Sequence, residues 1–206
     1  MCIRDSPNSV SPIEITKSRD DLRTGLKYRG LVLTTACRLV PWKGVDTLIK
    51  LLPELKSKLG EATLIIIGDG PERSNLEVLA KELEVSEQVK FMGRLERQDM
   101  GEAISASDIF LLNTAYEGMS HQLLEVMGLK VPIVTTRIDG NIELITDHQD
   151  GLLVETGNTE DFIKAITELT ENPDLRKRLV TNATQKLTTF SEGAAEKNLN
   201  HWLKDL

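Results

Sequence analysis

At 206 residues with 40% apolar side chains, the chain is long enough to bury one substantial core, and its length favours a single domain with tails. Its 25 Lys and Arg stand against 32 Asp and Glu, and a net charge of −7 argues against a nucleic-acid binder, which needs clustered cations to hold phosphate backbones. Cys2 and Cys37 form neither a metal-site spacing nor a disulfide framework. No apolar run approaches the roughly 18 to 20 residues of a membrane span, so a soluble, cytoplasmic protein is expected.

In chain order, the opening MCIRDSP has no periodicity and reads as a translated cloning or sequencing adapter. Residues 1–30 are expected to be an N-terminal tail, part adapter scar and part interdomain segment, ahead of one domain over 31–206. LVLTTA (31–36) then reads as a buried strand, and GVDTLIKLLPELKSKL carries apolar residues at helical spacing. The alternation recurs: ATLIIIG then ERSNLEVLAKELEV, VKFMG then RQDMGEAISAS, DIFLLN then MSHQLLEVMGL, VPIVTT then a short NIELIT, GLLV then TEDFIKAITELTE. Two further helices, PDLRKRLVTNATQKL and EGAAEKNLNHWLKDL, are expected to close the chain. Strands each followed by helix require crossovers, and crossovers mean parallel pairing. The expected fold is α/β, a doubly wound parallel sheet of about six strands, with ligands at the carboxyl ends of the strands.

The loops after the strands are therefore where function should lie. After the first strand, CRLVPWKG places Arg38 and Lys43 near a strand-to-helix turn. They are either solvated cations or an anion site, and an Arg fork beside a Lys point charge suits a diphosphate. After the second, Gly68 and Gly70 fail a dinucleotide fingerprint, because Arg73 stands where a third small residue is needed, and read instead as a tight turn. After the third, Gly93 permits close approach of a flat ligand bordered by Arg94 or Leu95. After the fourth, YEGMSHQLLE sets Glu117 in the loop, Gly118 at the turn, the amides of Met119, Ser120 and His121 at a helix start, and Glu125 within the helix. Glu125 has mostly apolar neighbours, so its carboxylate needs a partner or a wet groove. The pair is either surface charge or two acids looking into one cleft that holds hydroxyl groups. After the fifth strand, RIDGNIEL brings Gly140 and Glu143 to the same edge, with Asp139 and Glu143 also readable as helix-start acids.

From about Leu31 to Leu206 the chain resembles the C-terminal domain of family 4 (group 1) glycosyltransferases, the second half of a GT-B fold of two facing Rossmann-like domains. The resemblance is carried by RLVPWKG, IIIGDGPE, VKFMG and, above all, YEGMSHQLLEVM followed by VPIVTT, with two glutamates separated by seven residues. It implies a retaining glycosyltransferase with a nucleoside diphosphate sugar donor, no cofactor and no metal. Arg38 and Lys43 would hold the diphosphate. Glu117 would face the donor sugar, Glu125 the ribose hydroxyls, Gly118 with the amides of Met119 and Ser120 the sugar and phosphate, Gly93, Arg94 and Leu95 the base, and Gly140 the same edge. The expected partners are a glycan or lipid-linked acceptor and a missing N-terminal acceptor domain, which would also bring any peripheral contact with the inner membrane. The chain alone would then bind donor and be inactive. The alternative is a non-catalytic nucleotide-sugar-binding subunit that attaches to a separate partner around Trp202 and Leu203. Against the family pattern, Cys37 and Lys130 each stand where Gly is usual, and Asp139 and Ile142 replace the Gly and Pro of a common Gly-Gly-x-Pro-Glu run.

Overall fold

The computed structural model describes residues 13–202, with side chains through residue 188. The adapter-like opening, Cys2, Leu203 and the Trp202 side chain lie outside the described residues. The elements, in order, are α1 (Arg19–Gly25), β1 (Leu31–Ala36), a 3-10 turn (Pro41–Lys43), α2 (Val45–Lys50), α3 (Leu52–Leu59), β2 (Ala62–Ile67) and α4 (Arg73–Glu82). Next come a second 3-10 turn (Ser86–Gln88), β3 (Val89–Gly93), α5 (Arg97–Ser105), β4 (Ile109–Leu112), α6 (His121–Gly128) and β5 (Ile133–Thr136). The chain continues through α7 (Asp139–Ile142), β6 (Leu152–Val154), α8 (Thr159–Glu171) and α9 (Pro173–Trp202).

The six strands form one sheet in the order β3-β2-β1-β4-β5-β6, with every neighbouring pair parallel. This is the doubly wound sheet expected from the βα alternation. Successive strand residues point to opposite faces, and the core divides accordingly. Leu33, Leu64, Ile66, Ile109, Leu111 and Val134 pack one way, under α2, α3, α4 and α8. Val32, Ile65, Ile67, Phe110, Leu112 and Ile133 pack the other way, under α5 and α6. With both faces covered, β1, β2, β4 and β5 are almost wholly buried along their length rather than on alternate residues, their only polar side chains being threonines. The chain leaves β1 to build one half of the sheet and returns beside it as β4, so the strand order reverses between β1 and β4. A crevice opens at such a point outside the carboxyl ends of the strands.

Three differences from the sequence reading have physical causes. The helix expected over 44–59 breaks at Leu51, because Pro53 cannot donate a backbone hydrogen bond, and resumes as α3. The two closing helices are one, α9, since the Thr-Thr-Phe-Ser stretch between them disfavours a helix only mildly. Its early turns contribute Leu175 and Leu179 to one core cluster and its later turns Ala183 and Leu187 to the other.

The tail before Gly30 also contains α1, capped by Ser18, whose hydroxyl accepts from the Asp21 N–H. It lies against α5 with Leu22 buried, and is tied to the start of β4 by Asp108, which accepts from Arg19, from Arg23 at 2.9 Å and from the Val32 N–H at 2.7 Å. Burial pulls the Asp108 carboxyl upward, but those hydrogen bonds and the Arg19 charge outweigh it and hold it below its ordinary value. No helix among the described residues is long and apolar enough to cross a membrane.

Candidate functional site

Arg38 and Lys43 follow β1, whereas Glu117 and Glu125 follow β4, so all four leave the two strands that flank the reversal. The two loops are tied together by backbone and amide bonds. The Ala115 N–H donates to the Trp42 carbonyl at 2.8 Å, and Asn113 Nδ2 donates to the Gly44 carbonyl at 2.8 Å. Gly44 has φ +50°, and a Cβ there would collide with the Asn113 amide, so only glycine lets the loops approach this closely. On this frame the Lys43 ammonium donates to Glu117 Oε2, in an ion pair whose members are 14% and 24% exposed.

An open cleft of about 420 Å³ is lined by residues after β1 (Cys37, Arg38), β2 (Gly68, Asp69) and β3 (Arg94, Leu95), with Met100 and Gln122; it adjoins the ion pair through Cys37, which feels both charges, while Lys43, Glu117 and Glu125 do not line it. Its volume falls within the range for small-molecule sites. Gly68 and Gly70 do more than make a turn: side chains at either would strike the Cys37 and Leu39 carbonyls, so they let the β2 loop pack against the β1 loop. A Cβ on Gly93, at φ +67°, would make only ordinary contact with the Arg73 guanidinium at 3.6 Å, so its requirement is conformational. Cys37 lies at the junction of cleft and ion pair. Burial pushes its thiol up to about 11, with Lys43 and a Thr35 hydrogen bond pulling down and Glu117 pushing up.

Glu125 has the partner its apolar neighbours require, and that partner is Arg97 of α5, whose Nε lies 2.8 Å from Oε1. Spacing along the chain gives no sign of this pair, because its members are 28 residues apart on different helices. Met100 and Gln122 are each one helical turn from a member of the pair, so the bridge flanks the cleft rather than standing apart from it. The helix itself starts at His121 with Ser120 as N-cap, so Met119 precedes it rather than supplying a first-turn amide. The Ser120 side chain makes no capping bond, which leaves the helix start without a side-chain acceptor.

A second support reaches the Glu117 loop from β5 and α7. A Cβ on Gly140 would collide with the carbonyls of Glu117 and Gly118, whereas a Cβ on Gly118 would meet nothing within 4 Å. Gly140 is therefore the glycine that the approach demands. Behind it the fully buried Asn141 donates to Thr135 Oγ1 at 2.9 Å and to the Thr136 carbonyl at 3.0 Å. Thr136 Oγ1 donates to the Thr114 carbonyl at 2.7 Å, and Thr114 Oγ1 to the Tyr116 carbonyl at 2.8 Å. This buried relay fixes where Glu117 leaves the sheet, and sequence reasoning missed it because Thr and Asn carry no distinctive spacing.

The family model of glycosyl transferases group 1 matches residues 19–186. A lipopolysaccharide core biosynthesis glycosyltransferase of Rhizobium meliloti is 34% identical over 148 residues, covering 72% of this chain and 42% of that protein. A GDP-mannose-dependent phosphatidylinositol monomannoside mannosyltransferase of Corynebacterium glutamicum is 36% identical over 164 residues, covering 76% and 42%. The chain thus spans less than half the length of these two relatives. Among solved structures, Anabaena HepE in complex with UDP superposes with a TM-score of 0.77 at 25% identity, over 88% of this chain and 52% of that one. The C-terminal domain of a group 1 glycosyl transferase from Francisella tularensis, crystallised alone, gives a TM-score of 0.76 at 22% identity, over 86% and 94%. With the parallel sheet, the loops meeting at its reversal point and a family match over most of its length, the chain belongs to the group 1 glycosyltransferases.

Proposed function

We propose that the chain is the donor-binding half of a retaining glycosyltransferase that transfers a sugar from a nucleoside diphosphate sugar to a glycan or lipid-linked acceptor, in polysaccharide or lipopolysaccharide-type synthesis. The observation that carries this reading is the Lys43–Glu117 ion pair at the strand-order reversal, beside a cleft lined by Arg38 and Arg94. The cations suit a diphosphate, and the carboxylates suit sugar and ribose hydroxyls. In the bare protein Lys43 is neutralised by Glu117, and Glu125 is held by Arg97. An arriving diphosphate competes with Glu117 for the ammonium, which frees the carboxylate to accept from the donor sugar. The ribose hydroxyls likewise share Glu125 with Arg97.

When the bond from the anomeric carbon to the diphosphate oxygen breaks, its electron pair stays on that oxygen. Arg38 and Lys43 stabilise the charge that develops there, without need of a metal or other cofactor. The two carboxylates act as hydroxyl acceptors rather than as the acid and nucleophile of a glycosidase, which flank the scissile bond. The supporting relatives include proteins named for GDP-mannose and structures holding UDP, so both bases belong in the test. Acceptor recognition belongs to the part of the relatives' length that this chain does not span.

Calorimetric titration of the purified chain with UDP, GDP and ADP tests the reading. One of them should bind, with affinity falling about tenfold in Arg38→Ala, a loss of about 1.4 kcal/mol. Undiminished binding by that variant, or no binding of any of the three, would reject the assignment.

A further inference from the structure

A second and larger cavity, of about 610 Å³, opens at the opposite end of the sheet. Its wall includes Ser107 and Asp108, just before β4, and Val131 and Pro132, just before β5, so it faces the amino ends of the strands, away from the donor cleft. α1 and the start of α9 close its sides. Five of the residues that line it are basic, and only one, Asp108, is acidic, in a chain whose net charge is −7.

The pairing of these charges is unequal. Lys17 is held by Glu102 at 2.9 Å, and Arg19 by Asp108. Asp108 is already engaged by Arg19, Arg23 and the Val32 N–H and has little left to offer the cavity. Lys130, Arg176 and Lys177 have no ion-pair partner among the described residues. Arg176 and Lys177 lie in the first turns of α9, whose N-terminal dipole adds to their positive potential. Ser105, also in the wall, has a buried hydroxyl with no hydrogen-bond partner among the described residues. Apart from Ser107 and Thr181, the remaining wall is mainly apolar, from Ile13, Ile15, Leu129, Val131 and Val180. Lys130 stands at φ +59°, a conformation that favours glycine, so its side chain is kept there against a backbone cost.

We propose that this rear cavity is a binding site for a phosphate-bearing ligand with an apolar body, separate from the donor cleft. A guanidinium fork with two ammonium groups matches a phosphate monoester or diester better than a single carboxylate, and the volume admits more than a bare ion. The apolar wall takes the carbon skeleton. A soluble phosphorylated metabolite and a phospholipid headgroup share this chemistry.

The test uses hexyl phosphate in solution and, in parallel, sedimentation with phosphatidylglycerol or phosphatidylcholine vesicles. The full chain should bind hexyl phosphate or the phosphatidylglycerol vesicles. Arg176→Ala combined with Lys177→Ala should weaken that binding at least about tenfold, a difference of 1.4 kcal/mol. Lys130→Gly removes a cation while relieving its backbone, so it should weaken binding in a protein that folds at least as well. Arg38→Ala should leave it unchanged. Binding of hexyl phosphate identifies a soluble source, and binding to the anionic vesicles alone identifies a lipid. Binding of neither, or binding that follows Arg38 and ignores Lys130, Arg176 and Lys177, would overturn the proposal. Because UDP, GDP and ADP binding reads Arg38 and this experiment reads the α9 cations, either conclusion can fail without the other.

Discussion

Strand β4 enters the sheet at one acid and leaves it toward another, and the two are treated differently. At its amino end Asp108 accepts from two arginines and a backbone N–H, more partners than one charge needs, and its carboxyl is held below the ordinary range. At its carboxyl end Glu117 has a single cation among the described residues, Lys43, and the pair influences Cys37, which lines an open cleft. An acid with surplus partners is committed to the fold. An acid with one partner that a ligand can take is available for binding. The difference between a structural and a functional carboxylate lies here in the number of competing donors, since both are mostly buried.

The largest effect should come from breaking the committed end. Asp108→Ala leaves Arg19, Arg23 and the Val32 N–H without their acceptor and releases α1 from the strand edge. About 3 kcal/mol of stability should be lost, read as a shift in the urea midpoint without a change in nucleoside diphosphate affinity. The pH dependence has a definite sign. A carboxyl with a lowered folded value contributes stability that is present above the unfolded value near 3.9 and lost as pH falls through the folded one. The wild-type chain should therefore lose stability on its acid limb, and Asp108→Ala should flatten that limb. An unaltered limb would mean that Asp108 is not the committed acid.

Next comes the scaffold of the available end. Gly140→Ala drives a methyl group into the Glu117 and Gly118 carbonyls, and relieving that overlap should cost about 1 to 3 kcal/mol. Because the displaced segment carries Glu117, nucleoside diphosphate sugar affinity should fall as well. Gly118→Ala, where a Cβ meets nothing, is the control. If both variants behave alike, the packing account of this loop is wrong.

A smaller effect, of opposite sign in its two arms, separates the members of the ion pair. Lys43→Ala should weaken nucleoside diphosphate binding about tenfold, or about 1.4 kcal/mol. Glu117→Gln releases Lys43 from its one acid among the described residues, so the bare nucleoside diphosphate should bind as well as before or better, while the extra affinity given by the sugar disappears. Each change leaves one mostly buried partner unpaired and should cost about 1 to 2 kcal/mol of stability, less than Asp108→Ala. Parallel losses of nucleoside diphosphate binding in both variants would show that the pair acts as one structural unit, like Asp108 with its arginines.

What the sequence made legible follows the same division. β1 and β3 are marked to the residue: β1 because a strand buried on both faces carries apolar residues and threonines without a charge, and the edge strand β3 because Val89, Phe91 and Met92 are closed by Gly93. The loops bearing Arg38, Lys43, Glu117 and Glu125 could be assigned to one edge, since a parallel sheet puts every βα loop there. Helix α1 was not legible, because Leu22 is its single buried residue and its hold on the sheet comes from charges that meet Asp108 more than 80 residues away. The Arg97–Glu125 bridge and the Thr114–Thr136–Asn141 relay were hidden for the same reason. Long-range polar pairing leaves no periodicity, and Gly140 announces only that some backbone is close, not which.

The smallest effect sharpens the comparison at the rear of the sheet, where Lys130 precedes β5 as Asp108 precedes β4. In its left-handed conformation an L residue costs roughly 1 to 2 kcal/mol. A glycine there avoids that strain but gives up about 0.5 to 1 kcal/mol in chain entropy on folding. Lys130→Gly should therefore stabilise the chain by about 0.5 to 1 kcal/mol, measurable as a small rise in the urea midpoint. A stabilising change that nevertheless weakens hexyl phosphate binding would put Lys130 with Glu117, among residues kept for a ligand at some cost to the fold. A destabilising one would instead mean that the Lys130 side chain holds the α6–β5 turn in place, and would set it beside Asp108.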